Sequence, residues 1–183
     1  MHWKESIEDS GGSEEHETVV NQTRRSMKNK NMISKFRVMF NNMRGYKKKR
    51  ETLAQIIQEK KPVVMGIAET NLERDEVIEQ IEGYVVKRKD RKQQGGGVML
   101  IYRKDLESMV MEEEDLVEDE ILWMSIQNKN IKIKVGVVYM PQENKTRVAE
   151  LQRLYNQIGK EVEKANMENA QVVLTRRRES TRT

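Results

Sequence analysis

Pro62 separates two hydrophobic periodicities that no single element can carry, and that break constrains the fold more than any other feature. Upstream, between Lys47 and Lys60, Leu53, Ile56 and Ile57 recur at helical spacing among Lys and Gln, the pattern of an amphipathic helix. Proline has no backbone N–H and a fixed φ, so the helix cannot run through it. Downstream, VVMGIA (63–68) is short, apolar and partly β-branched, which predicts a buried strand. A helix delivered directly into a buried strand is the unit of a layered α/β chain.

The rest of the chain repeats that alternation. FRVMFNN (36–42) predicts a strand that ends in two asparagines and the turn-like MRGY. Asn71 to Gln80 predicts a short helix, GYVVKRK a strand, and GGGVMLIYR a further strand approached through the flexible run Gly95, Gly96 and Gly97. ILWMSIQ and IKIKVGVVYM, joined by QNKN, predict a hairpin. From Asn144 to Met167, Val148, Leu151, Leu154, Tyr155, Ile158 and Val162 predict one apolar helix face, and QVVL (171–174) a last strand. Residues 1–32, rich in Ser, Glu, Asn and Lys without periodicity, read as a disordered polar lead. The 183 residues suit one domain: mixed α/β layers with sheet at the centre.

Composition narrows the chemistry. With 36% hydrophobic and 35% charged residues, a core is possible beneath a heavily solvated surface. No stretch approaches the roughly 20 apolar residues that span a bilayer, and MHWKESIEDS is too polar for a secretory signal. The absence of cysteine excludes disulfides and thiolate metal sites and suits an intracellular, reducing location, the nucleus included. The two histidines, His2 and His16, both precede the body of the chain, which excludes a Ser-His-Asp triad or His-ligated zinc there. The net charge of +4 is unevenly spread: 13 Lys or Arg against two acids between Arg24 and Lys61, then eight acids and no base between Glu107 and Glu120. Such a basic first third can neutralise phosphates and release counterions; KKKR (47–50) also fits the solvated start of a helix.

Three predicted strands end in polar groups: Asn42, Glu69 and Tyr139. Each has an ordinary structural role available. Glu69 can be an exposed strand end with Thr70 or Asn71 capping the next helix, Asn42 a turn residue, and Tyr139 a core aromatic with a wet hydroxyl. If the strands are neighbours in one sheet, the ends cluster, and a carboxylate, an amide and a phenol together suit a hard cation beside a phosphate.

The ordered set of NMRG after the first strand, AET after the second, GGGV before a later strand and VYMP at the hairpin's end resembles the endonuclease/exonuclease/phosphatase superfamily. The likeness runs from about Lys35 to Leu174 and is nearest the apurinic-endonuclease-like domain of LINE-type, non-LTR retrotransposons. It implies an αββα sandwich of two facing sheets, here with the second sheet incomplete, and Mg²⁺-dependent (or Mn²⁺-dependent) hydrolysis of a DNA phosphodiester. It implies that Glu69 and Asn42 hold the metal and that Tyr139 contacts the scissile phosphate, so that all three are catalytic.

The resemblance breaks after QVVL, where the family runs into GDFN. Here Thr175, Arg176 and Arg178 stand for its glycine, aspartate and asparagine, followed by a basic divergent tail (175–183). The later aspartate and the Asp-His pair have no counterpart, so Mg²⁺ binding is expected to be weak. Residues 33–174 then form the N-terminal portion of such a domain, weakly active or inactive alone, with an apolar sheet face that a protein partner would cover. The second reading is a non-catalytic scaffold that holds nucleic acid or protein through the basic strip. Phosphatase and sphingomyelinase-like members of the superfamily are a lesser alternative.

Overall fold

A computed structural model describes residues 4–6, 19–20, 36–91, 95–111, 121–127, 129, 131–140 and 148–175. In chain order these form β1 (Lys4–Ser6), β2 (Val19–Val20), β3 (Val38–Asn42), α1 (Arg50–Lys60), β4 (Val64–Ala68), β5 (Tyr84–Lys89) and β6 (Val98–Arg103). A 3₁₀ turn (Lys104–Met109) follows, then β7 (Val110–Met111), β8 (Ile121–Gln127), β9 (Lys132–Val138), α2 (Val148–Met167) and β10 (Gln171–Thr175). Two mixed five-stranded sheets result, ordered β1-β3-β4-β6-β5 and β2-β10-β9-β8-β7.

β4 occupies the centre of the first sheet, parallel to β3 and antiparallel to β6. All five of its residues are buried. A strand covered on both faces has no use for polar alternation, which is why VMGIA reads as a continuous apolar run. Its alternate side chains serve two cores. Val64 joins Val98, Leu100 and Tyr102 between the sheets, against Met124, Val135 and Val137 of the second sheet. Met65 and Ile67 point the other way, onto Leu53 and Ile57 of α1. On the far side α2 lays Leu154 and Ala165 over Ile121, Trp123, Val172 and Leu174. The order is helix, sheet, sheet, helix. The apolar inner face that the sequence reading leaves short of a partner is therefore covered by strands of the same chain. No described helix is long and apolar enough to cross a membrane.

The sheets approach closely at one point. A Cβ added to Gly66 would lie 2.9 Å from Thr175 Oγ1 and 3.3 Å from Val137 Cβ. Thr175 is buried at the last position of β10, and its hydroxyl donates to the Gly136 carbonyl at 3.0 Å, which satisfies it inside the sandwich. On the outer face of the second sheet, Gly136 faces Trp123 across the ladder, and a Cβ there would meet the indole ring at 2.4–2.8 Å. Lys134 extends along the same face to pair with Glu161 of α2, its Nζ 5.5 Å from the Trp123 ring centroid.

Two local expectations change. Asn71 to Gln80 contains one turn and no helix. Asn71 adopts φ 51°, outside helical geometry, and Arg88 takes the carbonyls of Arg74 and Glu76 that a helix would use internally. Leu72 is buried and Ile78 and Ile81 reach the core without helical winding. On α2, the buried stripe follows Leu151, Leu154 and Ala165, whereas Val148 and Tyr155 are exposed at 62% and 44%. The described residues of the polar lead are the short strands β1, on the edge of β3, and β2, on the edge of β10.

Candidate active site

The rim at the C-terminal ends of β3 and β4 is built by backbone bonds that outlast the strands. Register sets Asn42 opposite Ala68, so Glu69 is the first residue past the pairing. Beyond it the parallel strands remain laced: Met43 N–H donates to Ala68 O at 2.9 Å, Gly45 to Glu69 O at 2.8 Å and Tyr46 to Thr70 O at 2.8 Å. From the other side, Thr70 N–H reaches Gly97 O at 3.3 Å and Asn71 N–H reaches Gly96 O at 2.9 Å. Asn71 Oδ1 accepts the Gly96 N–H at 2.9 Å, closing a two-point clamp. Residues 69–71 are thus fixed from both flanks.

That clamp holds Glu69 at φ 56°, a left-handed conformation that non-glycine residues adopt rarely. The carboxylate turns onto Asn42, whose Nδ2 donates to Glu69 Oε1 at 2.8 Å. Asn42 Oδ1, buried beside it, has no hydrogen-bond partner, and Thr70 Oγ1 is fully buried and equally unpartnered. Orphaned buried oxygens are uncommon, because each forfeits its hydration without a replacement. An amide oxygen adjoining a carboxylate is the hard donor set that suits Mg²⁺ or Mn²⁺. The donors fit such an ion, but thinly: among the described residues no group of three or more His, Cys, Asp or Glu side chains is gathered at one place. Arg176 and Arg178 lie outside the described residues.

Tyr139 follows β9 and so belongs to the facing sheet, not to the sheet of Asn42 and Glu69. It nonetheless meets the same clamp. A Cβ added to Gly96 would stand 3.1 Å from Tyr139 Cδ1 and Cε1 and 3.0 Å from Arg91 Cδ, so the ring packs directly on the glycine that Asn71 grips. At Gly97 a Cβ would lie 2.5 Å from Thr70 Oγ1. Both glycines are buried, with φ 87° and 80°, and their role is close approach and left-handed backbone more than flexibility. Thr70, Asn71 and Arg91 escape sequence reasoning as members of the rim. Their one signal is adjacency: ETN follows the strand directly, and Arg91 stands four positions before the first glycine of the run, Gly95.

Around the rim, burial raises the Asp90 carboxyl above the ordinary aspartate range, with Arg88 opposing and Glu76 reinforcing the rise. Arg88 Nε holds Asp90 Oδ2 at 3.1 Å. Burial likewise raises the Tyr46 phenol, with Glu79 adding to it and Arg50 and Arg88 opposing.

No protein-family model matches the sequence, and no curated protein matches it either. Solved structures do. The AP endonuclease LMAP from Leishmania major superimposes with TM-score 0.52 at 17% identity, over 61% of this chain and 43% of that one. TDP2 from Caenorhabditis elegans superimposes with TM-score 0.50 at 12% identity, over 74% of this chain and 44% of that one. The endonuclease domain of TRAS1, a telomere-specific non-LTR retrotransposon, gives TM-score 0.49 at 16% identity, over 68% of this chain and 54% of that one. Identities this low speak to fold alone. The chain has a two-sheet α/β fold like that of the Leishmania and Caenorhabditis structures. It spans less than half the length of the Leishmania and Caenorhabditis proteins.

Proposed function

We propose that the rim is a divalent-metal-dependent centre for phosphodiester hydrolysis, with DNA as substrate and Mg²⁺ or Mn²⁺ as cofactor, in a chain of retroelement origin. The observation that carries the reading is the 2.8 Å Asn42–Glu69 hydrogen bond beside the buried, unpartnered Asn42 Oδ1. Glu69 and Asn42 would hold the ion, which when bound supplies charge to offset that developing on the attacked phosphate. Asn42 restrains the carboxylate by donating to Oε1, which keeps the amide and the acid side by side. Tyr139, seated on Gly96, offers its phenol to a phosphate oxygen. The retroelement origin is supported by the ordered motifs NMRG, AET, GGGV and VYMP. Glu69 is the one carboxylate assigned to the ion, so affinity and turnover are expected to be low.

A DNA substrate implies an intracellular, nuclear site of action. The exposed Lys47 and Lys48 beside the rim also support a second reading, a scaffold that holds nucleic acid without cutting it. Titration with Mn²⁺ and nicking of supercoiled plasmid, each with wild type and Glu69→Gln, separate the two. Saturable Mn²⁺ binding and nicking that both vanish in the variant support hydrolysis. DNA binding that is salt-sensitive and unaffected by Glu69→Gln, with no nicking by either protein, refutes it in favour of the scaffold.

A further inference from the structure

We propose that Arg91 is a phosphate-positioning residue, paired with Tyr139 across Gly96, which grips a phosphate next to the one at Glu69. The inference rests on the reading of the rim as a phosphate centre and adds to it the side from which the polymer is held. Because Gly96 has no Cβ, the Arg91 stem and the Tyr139 ring occupy the space above it together, at 3.0 and 3.1 Å from where that carbon would stand. Their carbons are therefore within about 6 Å of each other, so the two side chains line one spot over Gly96.

The placement is rigid with respect to Glu69. Gly96 is bonded through both N–H and carbonyl to Asn71, two residues past Glu69, and Asp90, next to Arg91, is held by Arg88. Arg91 is half-buried, which limits the rotamers it must surrender on binding. A guanidinium stays charged at all working pH and matches phosphate oxygens with a planar fork.

The opposite flank is also basic. Arg44, Lys47 and Lys48 are exposed on the loop whose amides at Gly45 and Tyr46 bond the Glu69 and Thr70 carbonyls. A phosphomonoester needs one cationic wall. A polynucleotide presents phosphates on both sides of the one attacked, and cations on both flanks of Glu69 suit it.

The test measures binding of a labelled 20-base-pair duplex in EDTA, from 50 to 200 mM salt, by wild type, Arg91→Gln and Arg91→Lys. Removing one phosphate contact lowers the salt slope by about 0.9, so Arg91→Gln should lose roughly 3-fold less affinity than wild type over that range. Arg91→Lys should restore the slope. In wild type, the Arg91 Nε–H resonance, assigned from the Arg91→Lys spectrum, should shift on addition of duplex, a readout that does not depend on the Gln variant folding. An unchanged slope in folded Arg91→Gln, an unmoved resonance, or a resonance that responds to inorganic phosphate but not to duplex overturns the proposal. Glu69→Gln serves as the metal-site variant and is read for Mn²⁺ affinity in buffer without EDTA. Failure of the metal reading appears as Mn²⁺ binding that is absent in wild type or unchanged in Glu69→Gln, whereas failure of this proposal appears in the Arg91 readouts, so the two ideas fail separately.

Discussion

Replacing Glu69 by glycine and by alanine separates the carboxylate from the backbone that carries it. Both variants lose the 2.8 Å hydrogen bond and leave Asn42 Nδ2 without its acceptor, a shared destabilisation of about 1–3 kcal/mol. They differ in the left-handed conformation at φ 56°, which sets Cβ against the following carbonyl and costs about 1–2 kcal/mol for any residue except glycine. At an ordinary position alanine exceeds glycine in stability by about 0.5–1 kcal/mol, because glycine loses more freedom on folding. Here the order should invert, with Glu69→Gly the more stable by about 1 kcal/mol. Calorimetry should read this as a melting temperature about 2–4 °C higher than that of Glu69→Ala, the range for a chain of this size. Neither variant should bind Mn²⁺. A Glu69→Ala protein as stable as Glu69→Gly, or more so, would show that the clamp from Met43–Tyr46 and Gly96–Gly97 does not impose the conformation. The left-handed backbone at Glu69 would then carry no stored strain.

Lys134 and Glu161 form a buried pair with side chains 6% and 14% exposed. Urea unfolding should show Lys134→Met destabilised by about 3–5 kcal/mol, because a lone buried carboxylate remains, and Lys134→Met/Glu161→Leu should recover most of that loss. Asp90 holds its proton more tightly folded than unfolded, because burial raises its carboxyl. Stability therefore falls as pH rises through the window just above the ordinary aspartate value, and Asp90→Asn, which cannot titrate, should not share the decline. Melting temperatures of the two proteins across that window, diverging against wild type as pH increases, are the expected result; parallel curves would contradict it.

Elements whose burial is set by local pattern were legible in the sequence. The apolar run that becomes β4 is buried on both faces, Leu53 and Ile57 are the buried positions of α1, and β8 and β9 pair antiparallel as the hairpin reading requires. What escaped was decided by distant residues. Residues 71–80 have helix-compatible spacing, yet Arg88, from another strand, takes their carbonyls. Tyr155 fits an apolar stripe on paper, but the core beneath α2 takes Leu154 and Ala165, with Ile158 and Val162 packed at its edge, and leaves Tyr155 exposed. Glu69 and Asn42 stood out because each interrupts an apolar strand at its end, and pairing neighbours in one sheet was enough to bring them together.

Tyr139 required more than pairing, since it comes from the other sheet. Two facts bring it to the same rim. β3 and β4 run parallel, as do β9 and β10, so each pair releases its C-terminal ends on one side. The middle of β4 then packs on the ends of β9 and β10, with Gly66 against Val137 and Thr175. A larger residue than glycine at 66 would push the sheets apart at the place where their strand ends meet. The glycine that admits the facing sheet, and Gly96 that admits the tyrosine ring, are therefore as much determinants of the rim as the acid and amide. Their contribution is absence of a side chain, which no pattern of hydrophobicity or charge records.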